Sequence, residues 1–537
     1  MYFASAVNQA IQQNLNQLQK RGVLFIRPGY KSTHGRLTDE PAIVVTVDNK
    51  RKDVSAEDKV PPLVGGYPTD VRQASPMHRL RASNPELYAQ VAATAAPEFQ
   101  RPVFPFERDA TGEFVAPAIA ETAAEVAARK PRKDPLPYTP PANRPLGPIT
   151  DEFTITCHAS PDAGWPTLQP FIAATTQRLT MAMYEFTAPY IVETVIGSLK
   201  SKRLQLVLDD PSDPKKRDQT NDDTQAQLAG GIGTALSFAW ALDADDPHVS
   251  AAIFPRAYHI KVVIRDAAAL WLSSGNLNRT NQPDIDPIQH AAAARTVVPN
   301  CDRDWHVIIE HAGLALLFEA YINNDFAVAS QHQLPEVSRS MVKAALSSHA
   351  GPPTEARAKV PAEYFPPQRI TARMTIQPVL TPDNYETCIL PLIRGAKKTF
   401  VMQTQYITPP KSTPRPGTPA GQADEVLEAL IAAIAELIRE GVDVRLIMSQ
   451  YETQDRIELL QERGIPQQNI RIQNRVHNKG IVVDSAIVVV GSQNWSGEGV
   501  TTNRDASVII HNAAAAQYWA KIFDHDWNHM VEAGGLD

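Results

Sequence analysis

One pattern of polar residues occurs twice in this sequence, in YHIKVVIRDAAALWLSSGNLN at residues 258–278 and in VHNKGIVVDSAIVVVGSQNWS at residues 476–496. In each stretch the spacing is HxKxxxxD, and Ser and Asn follow the His by fifteen and seventeen positions. A single match to so short a pattern would be weak, whereas two matches with the same downstream offsets indicate a duplicated unit. The duplicated residues are His259, Lys261, Asp266, Ser274 and Asn276 in the first stretch, and His477, Lys479, Asp484, Ser492 and Asn494 in the second.

The sequence around each stretch repeats as well. Residues 153–187 and 374–408 both run from a strand pattern through Pro-Asp into a helix pattern, then another strand and an aromatic residue. Further strand patterns follow at residues 204–210 and 442–450. Because strands alternate with helices in both repeats, the sequence predicts two homologous α/β halves, each layered around a mostly parallel or mixed sheet.

Proline-rich segments mark the boundaries between the parts of the chain. Eleven prolines fall between residues 97 and 148, among Ala and charged residues that offer little apolar surface to bury. A second such break precedes the second half. We therefore predict a small α+β module at 1–95, a Pro/Ala-rich linker or arm at 96–149, the first half at 150–348, a linker at 349–369 and the second half at 370–537.

Composition is that of an ordinary globular protein, with 43% hydrophobic residues and a net charge of −7 over 537 residues. This charge argues against a globally basic nucleic-acid binder but allows a local basic groove. The three cysteines are far apart and form no CxxC pair, which favours a reducing compartment. Since no apolar run reaches the roughly 18 residues that cross a bilayer, we expect a cytoplasmic protein without a stable membrane anchor.

The duplicated pattern suits chemistry at a phosphate group. His and Lys two positions apart on a strand point to the same face, so one imidazole and one ammonium meet the same ligand. If the two strands face each other, two histidines flank the phosphorus, and one can attack it while the other protonates the leaving oxygen. The lysines and asparagines would stabilise charge on the phosphoryl oxygens. This inventory requires no metal and no other cofactor.

These residues resemble the phospholipase D superfamily, whose HKD motif is followed by a GSxN segment. The resemblance covers roughly residues 150–530 and implies two phospholipase D-like α/β/α sandwich halves that form a pseudo-dimer. It also implies that Asp266 and Asp484 are supporting hydrogen-bonding residues. The first half departs from GSxN, because Ser273 stands in the Gly position and Gly275 in the variable one; we treat this departure as minor.

Members of the family use an acidic residue after the motif to orient a histidine through its second ring nitrogen. The aligned segments DRDWHVII and NRDASVII make Asp304 and Asp505 the candidates for this role, against the alternative of surface aspartates beside a strand. Which histidine attacks phosphorus stays open in the sequence, and the resemblance favours His259.

Other conspicuous side chains receive no catalytic role. Tyr184 and Tyr406 are placed at matching positions of the repeat, where a core role is favoured over lining the cleft. Trp495 could stack on a substrate or pack in the second half. Lone histidines are more often structural than catalytic, and four lack partners at motif spacing. These four are His158, His290, His306 and His311.

Three functions remain open on sequence grounds. A nuclease is favoured, because residues 181–199 resemble a segment of bacterial HKD endonucleases and the loop at 211–218 carries Lys and Arg for backbone phosphates. A phospholipase D or phosphatidyltransferase acting on phospholipid is the alternative, and a non-catalytic scaffold is the third. We also expect the module at 1–95 to make a regulatory contact or to bind a partner.

Overall fold

A computed structural model describes most of the chain. The described residues are 2–33, 36–48, 55, 58–74, 82, 107–108, 114–115, 138–209, 218–241, 257–330, 359–361, 363–410 and 419–531. The chain divides into two compact units, one formed by residues 1–132 with 533–537 and the other by residues 133–532. Most of the predicted arm at 96–149 and of the predicted linker at 349–369 lies outside the described residues.

The first unit is a small α+β module. Helices α1 (Tyr2–Gln13) and α2 (Leu15–Leu18) precede a four-stranded sheet of order β1-β2-β4-β3. Its strands are β1 (Val23–Thr33), β2 (Arg36–Val47), β3 (Leu63–Val64) and β4 (Tyr67–Gln73). Apolar residues of the helices and the sheet form one core, since helical spacing puts Val7, Ile11 and Leu18 on the face that meets Ile43 and Val45. A two-residue strand β5 (Glu107–Arg108) pairs with β6 (Phe114–Val115).

The second unit is built on one 14-stranded sheet of order β10-β9-β8-β11-β12-β13-β7-β14-β20-β19-β18-β15-β16-β17. The first seven strands are β7 (Ile149–Ser160), β8 (Arg178–Met183), β9 (Arg203–Leu208), β10 (Leu236–Trp240), β11 (Lys261–Arg265), β12 (Ala269–Ser273) and β13 (Asp304–Glu310). The other seven are β14 (Gln368–Thr381), β15 (Thr399–Thr404), β16 (Asp443–Ser449), β17 (Ile470–Gln473), β18 (Lys479–Val483), β19 (Ile487–Gly491) and β20 (Asp505–His511). Read from either edge inwards, the two sets have the same order, so the predicted duplication is confirmed.

The two halves join through their first strands. β7 and β14 pair antiparallel over a long register, from Ile149 opposite Ile376 to Cys157 opposite Gln368. Each half places its strands in the same sequence outward from this pair. The halves therefore form a pseudo-dimer that shares one continuous sheet.

Helices cover both faces of the sheet. In the first half they are α3 (Gly164–Ala173), α4 (Pro189–Ser198), α5 (Asn221–Ile232), α6 (Ala291–Val297) and α7 (Ala312–Ala329). In the second half they are α8 (Tyr385–Arg394), α9 (Pro419–Arg439), α10 (Gln454–Glu462), α11 (Gly497–Thr501) and α12 (Ala513–His525). Val262 and Ile264 of β11 enter the core beneath α7 and α12, while Val263 enters the core beneath α3 and α4. Alternating side chains thus fill two cores, as the predicted α/β/α sandwich requires.

Two tight hairpins follow the motif strands. Asp266 and Ala267 link β11 to β12 with φ values of 54° each, and Asp484 and Ser485 link β18 to β19 with φ values of 52° and 50°. Two consecutive residues at positive φ are the conformation of a two-residue turn whose twist matches the flanking strands. These turns set the register in which β12 and β19 return towards the other motif residues.

Candidate active site

Strand order brings the motif residues to one edge of the sheet. Lys261 at the start of β11 pairs with Met183 at the end of β8, and Lys479 at the start of β18 pairs with Thr404 at the end of β15. His259 and His477 lie two residues before these lysines. Because the connectivity repeats, both histidines emerge at equivalent positions, and the join between β7 and β14 places them on either side of the boundary between the halves.

Each histidine is held by an aspartate of the opposite half. His259 Nδ1 lies 2.7 Å from Asp505 Oδ1, and His477 Nδ1 lies 3.0 Å from Asp304 Oδ1. Both carboxylates are fully buried, His259 is buried, and the His477 side chain is 15% exposed. A hydrogen bond at Nδ1 fixes the ring and leaves Nε2 for chemistry. The two catalytic pairs are therefore reciprocal, and neither half contains a complete one.

The serines of the motif donate hydrogen bonds to these aspartates. Ser274 Oγ donates to Asp304 Oδ1 over 2.8 Å, and Ser492 Oγ donates to Asp505 Oδ1 over 2.6 Å. Each serine thus anchors the aspartate of its own half, which in turn orients the histidine of the other. The predicted positions of both serines and both aspartates are accounted for by this relay.

The two lysines are buried beside the histidines. Lys261 Nζ donates to the carbonyl oxygen of His259 over 2.5 Å, and Lys479 Nζ donates to that of His477 over 2.6 Å. Burial lowers the pKa of Lys479 to about 8 and, together with the charge of Lys479, lowers that of Lys261 further. An anionic ligand would stabilise both ammonium groups, as a phosphate does.

Burial also favours the neutral form of the histidines. It lowers the pKa of His477 to about 4 and that of His259 well below its usual value, and the neighbouring ammonium groups act in the same direction. A neutral imidazole is the form that can attack phosphorus. The partner that protonates the leaving oxygen must take up a proton, and the charge of a bound phosphate favours this uptake.

Asn276 and Asn494 complete the set. The Asn276 Nδ2 donates to Glu185 Oε2 over 3.3 Å. Within the described part of the chain, the Oδ1 atoms of Asn276 and Asn494 are buried without a hydrogen-bond partner. A buried polar atom without a partner is costly, so these amides are suited to a ligand or water in the site.

Asp266 and Asp484 lie at the far end of the motif strands. Each is separated from its lysine by the length of a five-residue strand, about 17 Å. The Asp266 carboxylate accepts backbone N–H groups from residues 176–178, and that of Asp484 accepts them from residues 397–399. The structure therefore does not bring them to the site, which agrees with the supporting role that the resemblance implied.

Two aromatic predictions need correction. The equivalent backbone bridges Phe186–Leu277 and Ile407–Trp495 show that Glu185, not Tyr184, matches Tyr406 in the repeat. Tyr184 is not a core residue, because it is half-buried with its ring 4.9 Å from that of His259. Its ring centre also lies 5.0 Å from the Lys261 ammonium. A one-residue slip in aligning the strand ends caused both errors.

Trp495 packs inside the second half. It is 1% exposed, and its indole Nε1 donates to the Tyr385 hydroxyl over 3.1 Å. Of the two roles left open for it, packing is the one that the structure shows.

Two buried carboxylates near the site were missed in the sequence. Glu185 follows β8 and Asp209 follows β9, so both lie at the same sheet edge as His259. Asp209 accepts the backbone N–H of Tyr258 over 2.5 Å, and burial raises its pKa to about 7. The available signal was their position at the carboxyl ends of two predicted parallel strands, where ligands bind in open α/β sheets.

Two buried arginines beside the catalytic aspartates were missed as well. Arg303 contacts Asp162 of its own half and Asp526 of the other, each over 2.9 Å. Arg504 makes the equivalent pairs with Asp383 and Asp325, each over 2.8 Å. The repeated Arg-Asp and Pro-Asp dipeptides carried this signal in the sequence.

Two kinds of feature are absent from the described residues. None of their His, Cys, Asp and Glu side chains gather in groups of three or more that could hold a metal ion. Among them there is also no helix long and apolar enough to cross a membrane.

The chain is similar to several known proteins. A family model described as "Cardiolipin synthase, PLD-like domain" matches residues 389–527. Phosphatidylserine synthase of Haemophilus influenzae Rd KW20 is 14% identical, with a TM-score of 0.45, over 70% of this chain and 88% of its own. Nuc of Salmonella typhimurium, a phospholipase D family member, is 24% identical, with a TM-score of 0.22, over 29% of this chain and 95% of its own. NucT of Helicobacter pylori is 12% identical, with a TM-score of 0.24, over 33% of this chain and 98% of its own.

No curated protein matches the sequence. The matched family model falls on the second half, and the first half repeats its strand order and its motif. Residues 389–527 therefore match a phospholipase D-like domain, and the first half is its structural repeat with the same motif.

Proposed function

We propose that the protein is a metal-independent phosphodiesterase that acts through a phosphohistidine, with nucleic acid as the favoured substrate. The reciprocal pairs His259–Asp505 and His477–Asp304 carry the proposal. They hold two imidazoles by Nδ1 on either side of one site, and His477 Nε2 lies 3.3 Å from the Lys479 ammonium. In the proposed reaction the two Nε2 atoms act on the phosphate. The match of residues 389–527 to a phospholipase D-like family model, together with the repeated motif in the first half, supports phosphodiester chemistry at this site.

The first step is in-line displacement at phosphorus. Nε2 of one neutral histidine attacks, a nitrogen–phosphorus bond forms, and the bond to the leaving oxygen breaks. The second histidine gives its Nε2 proton to that oxygen, so charge does not accumulate on the leaving group. Lys261, Lys479 and the two asparagines donate to the phosphoryl oxygens, which gain charge in the transition state.

The second step regenerates the enzyme. The histidine that has lost its proton accepts one from a water or alcohol, whose oxygen attacks phosphorus as the nitrogen–phosphorus bond breaks. Water gives hydrolysis, whereas an alcohol gives transfer. The buried aspartates stabilise each imidazolium as it forms, without taking the proton.

Nucleic acid is favoured because basic and aromatic side chains lie next to the motif in sequence and space. Arg279 follows the motif asparagine by three residues and its side chain is 42% exposed. Its guanidinium lies 3.2 Å from the Asp218 carboxylate and 5.3 Å from the Tyr190 ring centre, and a phosphate would have to compete with that carboxylate. Such a side chain can contact a backbone phosphate beside the one being cleaved.

Phospholipid is the second candidate. The family model that matches the second half bears the name of cardiolipin synthase. Ile288 and Val297, in the segment between β12 and β13, are 44% and 38% exposed and could meet acyl chains. These observations favour a phospholipase D or phosphatidyltransferase, with lipid as substrate at the same two histidines.

The test is cleavage of single-stranded and plasmid DNA, RNA, and liposomes of phosphatidylcholine or phosphatidylglycerol in excess EDTA. We expect nucleic-acid cleavage by the wild type and its loss in His259→Ala and His477→Ala, with His290→Ala as an exposed-histidine control. Turnover of lipid alone would contradict the nuclease proposal and support phospholipid as the substrate. Loss of activity in EDTA, or activity that persists in both site variants, would contradict the mechanism.

A further inference from the structure

His306 is a buried histidine directly behind the site. It lies on β13 two residues after Asp304, so both side chains project from the same face of the strand. Its Nδ1 is 2.7 Å from Ser273 Oγ, and its Nε2 is 2.8 Å from Ser160 Oγ. The ring is fully buried, and burial lowers its pKa to about 4, so it is neutral in the folded protein at physiological pH.

The hydrogen bonds of Ser273 determine which nitrogen carries the proton. Ser273 Oγ donates to the carbonyl oxygen of Gly275 over 2.9 Å and accepts the N–H of Gly275 over 2.8 Å. A hydroxyl has one proton to donate and two lone pairs. With that proton directed to Gly275, His306 Nδ1–H donates to Ser273 and His306 Nε2 accepts from Ser160. Every polar atom of the Ser273–His306 pair is therefore satisfied in one tautomer.

This pair fixes the turn that touches the catalytic aspartate. Gly275 is so close to Asp304 that an added Cβ would lie 2.5 Å from Asp304 Oδ2. The preceding residue, Ser274, donates to Asp304, and the following residue, Asn276, belongs to the site. A shift of the turn would consequently move the aspartate that orients His477.

In the second half, the equivalent turn is held without a histidine. The counterparts of Ser273, Gly275 and His306 are Gly491, Gln493 and Ser507, and Ser507 Oγ donates to Gln493 Oε1. A Cβ at Gly491 would lie 1.6 Å from Ser507 Oγ, so the second-half arrangement excludes a serine there. The departure of the first half from GSxN is thus one part of a coupled exchange at three positions.

We propose that His306 is a positioning residue for phosphodiester cleavage, holding the Ser273–Gly275 turn so that Ser274 and Asp304 orient His477. This inference rests on the proposed function, because it names a residue that serves the same site. It also assigns a role to a histidine that motif spacing alone could not distinguish from a structural one.

The two amide replacements of His306 separate its two hydrogen bonds. An asparagine amide reaches the place of Nδ1, so His306→Asn keeps a partner for Ser273 and loses Ser160. A glutamine amide reaches the place of Nε2, so His306→Gln keeps Ser160 and loses Ser273. Ser273→Ala removes the same contact from the other side and leaves the histidine in place. His290→Gln, at an exposed histidine, is the matched control.

The first measurement is the pH profile of kcat and KM for bis(p-nitrophenyl) phosphate. We expect His306→Gln and Ser273→Ala to lower kcat about tenfold with little change in KM, as a misaligned catalytic group does. His306→Asn should lose clearly less than His306→Gln, and His290→Gln should keep the wild-type kcat. Equal losses in the two His306 variants, or none in Ser273→Ala with its fold intact, would overturn the inference.

The second measurement is the titration of His477 by NMR of protein labelled with ¹³C-histidine. His477 faces Asp304 of β13, Lys479 of its own strand, and Lys261 and His259 of the first half. Asp304 raises the pKa of His477, so we expect that pKa to fall in His306→Gln and Ser273→Ala and to stay closer to the wild-type value in His306→Asn. An unchanged His477 in Ser273→Ala refutes the positioning role. This readout does not require turnover, so a wild type that cleaves no phosphodiester would reject the proposed function and still leave the positioning role testable.

Discussion

Asp304 and Asp505 occupy equivalent places in the two halves, yet their carboxyl groups differ in charge balance. Burial raises the pKa of Asp505 to about 7, and Lys261 and Ser492 offset it only in part. Burial acts in the same direction on Asp304, but His477 and Lys479 outweigh it and leave the pKa of Asp304 below its usual value. Asp304 Oδ2 also accepts a hydrogen bond from Asn281 Nδ2 over 2.8 Å, whereas Asp505 Oδ2 is buried without a partner among the described residues. The two side chains therefore make opposite contributions to stability at neutral pH.

This contrast predicts opposite effects of two isosteric substitutions. Above pH 7 the ionised Asp505 opposes folding, because its pKa in the folded state is higher than in the unfolded chain. Asp505→Asn should raise the melting temperature at pH 8, with a smaller gain at pH 5, where the folded state is already protonated. Asp304→Asn should lower the melting temperature at pH 8, since ionised Asp304 stabilises the fold above its unfolded pKa.

Thermal unfolding at pH 5 and pH 8 checks both substitutions, with phosphodiesterase activity measured alongside. We expect both variants to lose activity, because each uncouples one histidine. A fall in melting temperature at pH 8 in Asp505→Asn would contradict the charge balance described here.

The principal site residues could be predicted from the sequence because they recur at fixed spacing in the two motifs. The histidines, lysines and serines of both motifs lie close to Asp304 and Asp505, and their catalytic roles stay predictions. His306 and Glu185 could not be found in this way, because what defines them is contact across strands. Nothing in the spacing shows that Ser273 and His306 are opposite each other on β12 and β13.

At the scale of the elements, the turns after β11 and β18 hold the first residues of the neighbouring strands β8 and β15. Asp266 ends its strand in a left-handed conformation and accepts four hydrogen bonds from Thr176, Gln177 and Arg178 at the entry to β8. It ties β11 to β8 at the end of the sheet away from the site. The same arrangement at Asp484 ties β18 to β15.

Asp266→Ala should therefore lower the stability of the protein and leave its catalytic rate unchanged. Loss of the carboxylate leaves backbone N–H groups without their acceptor, and we expect the free energy of unfolding to fall by about 2 kcal/mol. Urea unfolding together with kcat for a phosphodiester would measure the two effects separately. A large fall in kcat in a variant of near wild-type stability would instead place Asp266 in the reaction.

The element order was predictable for a physical reason. Alternating strand and helix patterns constrain a chain to layers, and the duplication fixes where the halves correspond. The strand ends were less predictable, as the displaced matching of Tyr184 with Tyr406 shows. A strand carries no residue-by-residue mark of its end, so an error of one residue exchanges a cleft residue for its neighbour.

On the scale of the whole molecule, two buried arginines lock the halves together. Arg303 joins Asp162 to Asp526, and Arg504 joins Asp383 to Asp325, so each arginine bridges both halves. Arg504 is also close to two aromatic rings, Tyr138 at 5.0 Å and Tyr321 at 5.7 Å. Arg303 and Arg504 directly precede Asp304 and Asp505, so these contacts between the halves lie next to the candidate site.

Removal of either arginine should destabilise the second unit severely. Arg504→Gln leaves two buried carboxylates without a cation, a change that costs about 3–5 kcal/mol in comparable buried pairs. Arg303→Gln should behave alike. The matched control is Arg369→Gln, because Arg369 also bridges the halves, to Glu310, but on the surface, where such pairs contribute about 0–1 kcal/mol.

Chemical unfolding of the three variants measures these costs. Equal effects of Arg504→Gln and Arg369→Gln would show that burial of the bridge is not what joins the halves. The regulatory role expected of residues 1–95 belongs to this scale too and stays a prediction.

The bridges also bear on how the chain becomes active as it is synthesised. Arg303 leaves the ribosome long before its partner Asp526, which lies 223 residues further along the chain. In the same interval, Asp304 has no His477 and His259 has no Asp505. A nascent first half therefore carries unpaired charges and a misoriented histidine until translation of the second half is nearly finished. Under the proposed function, a partial translation product that lacks His477 and Asp505 cleaves no phosphodiester.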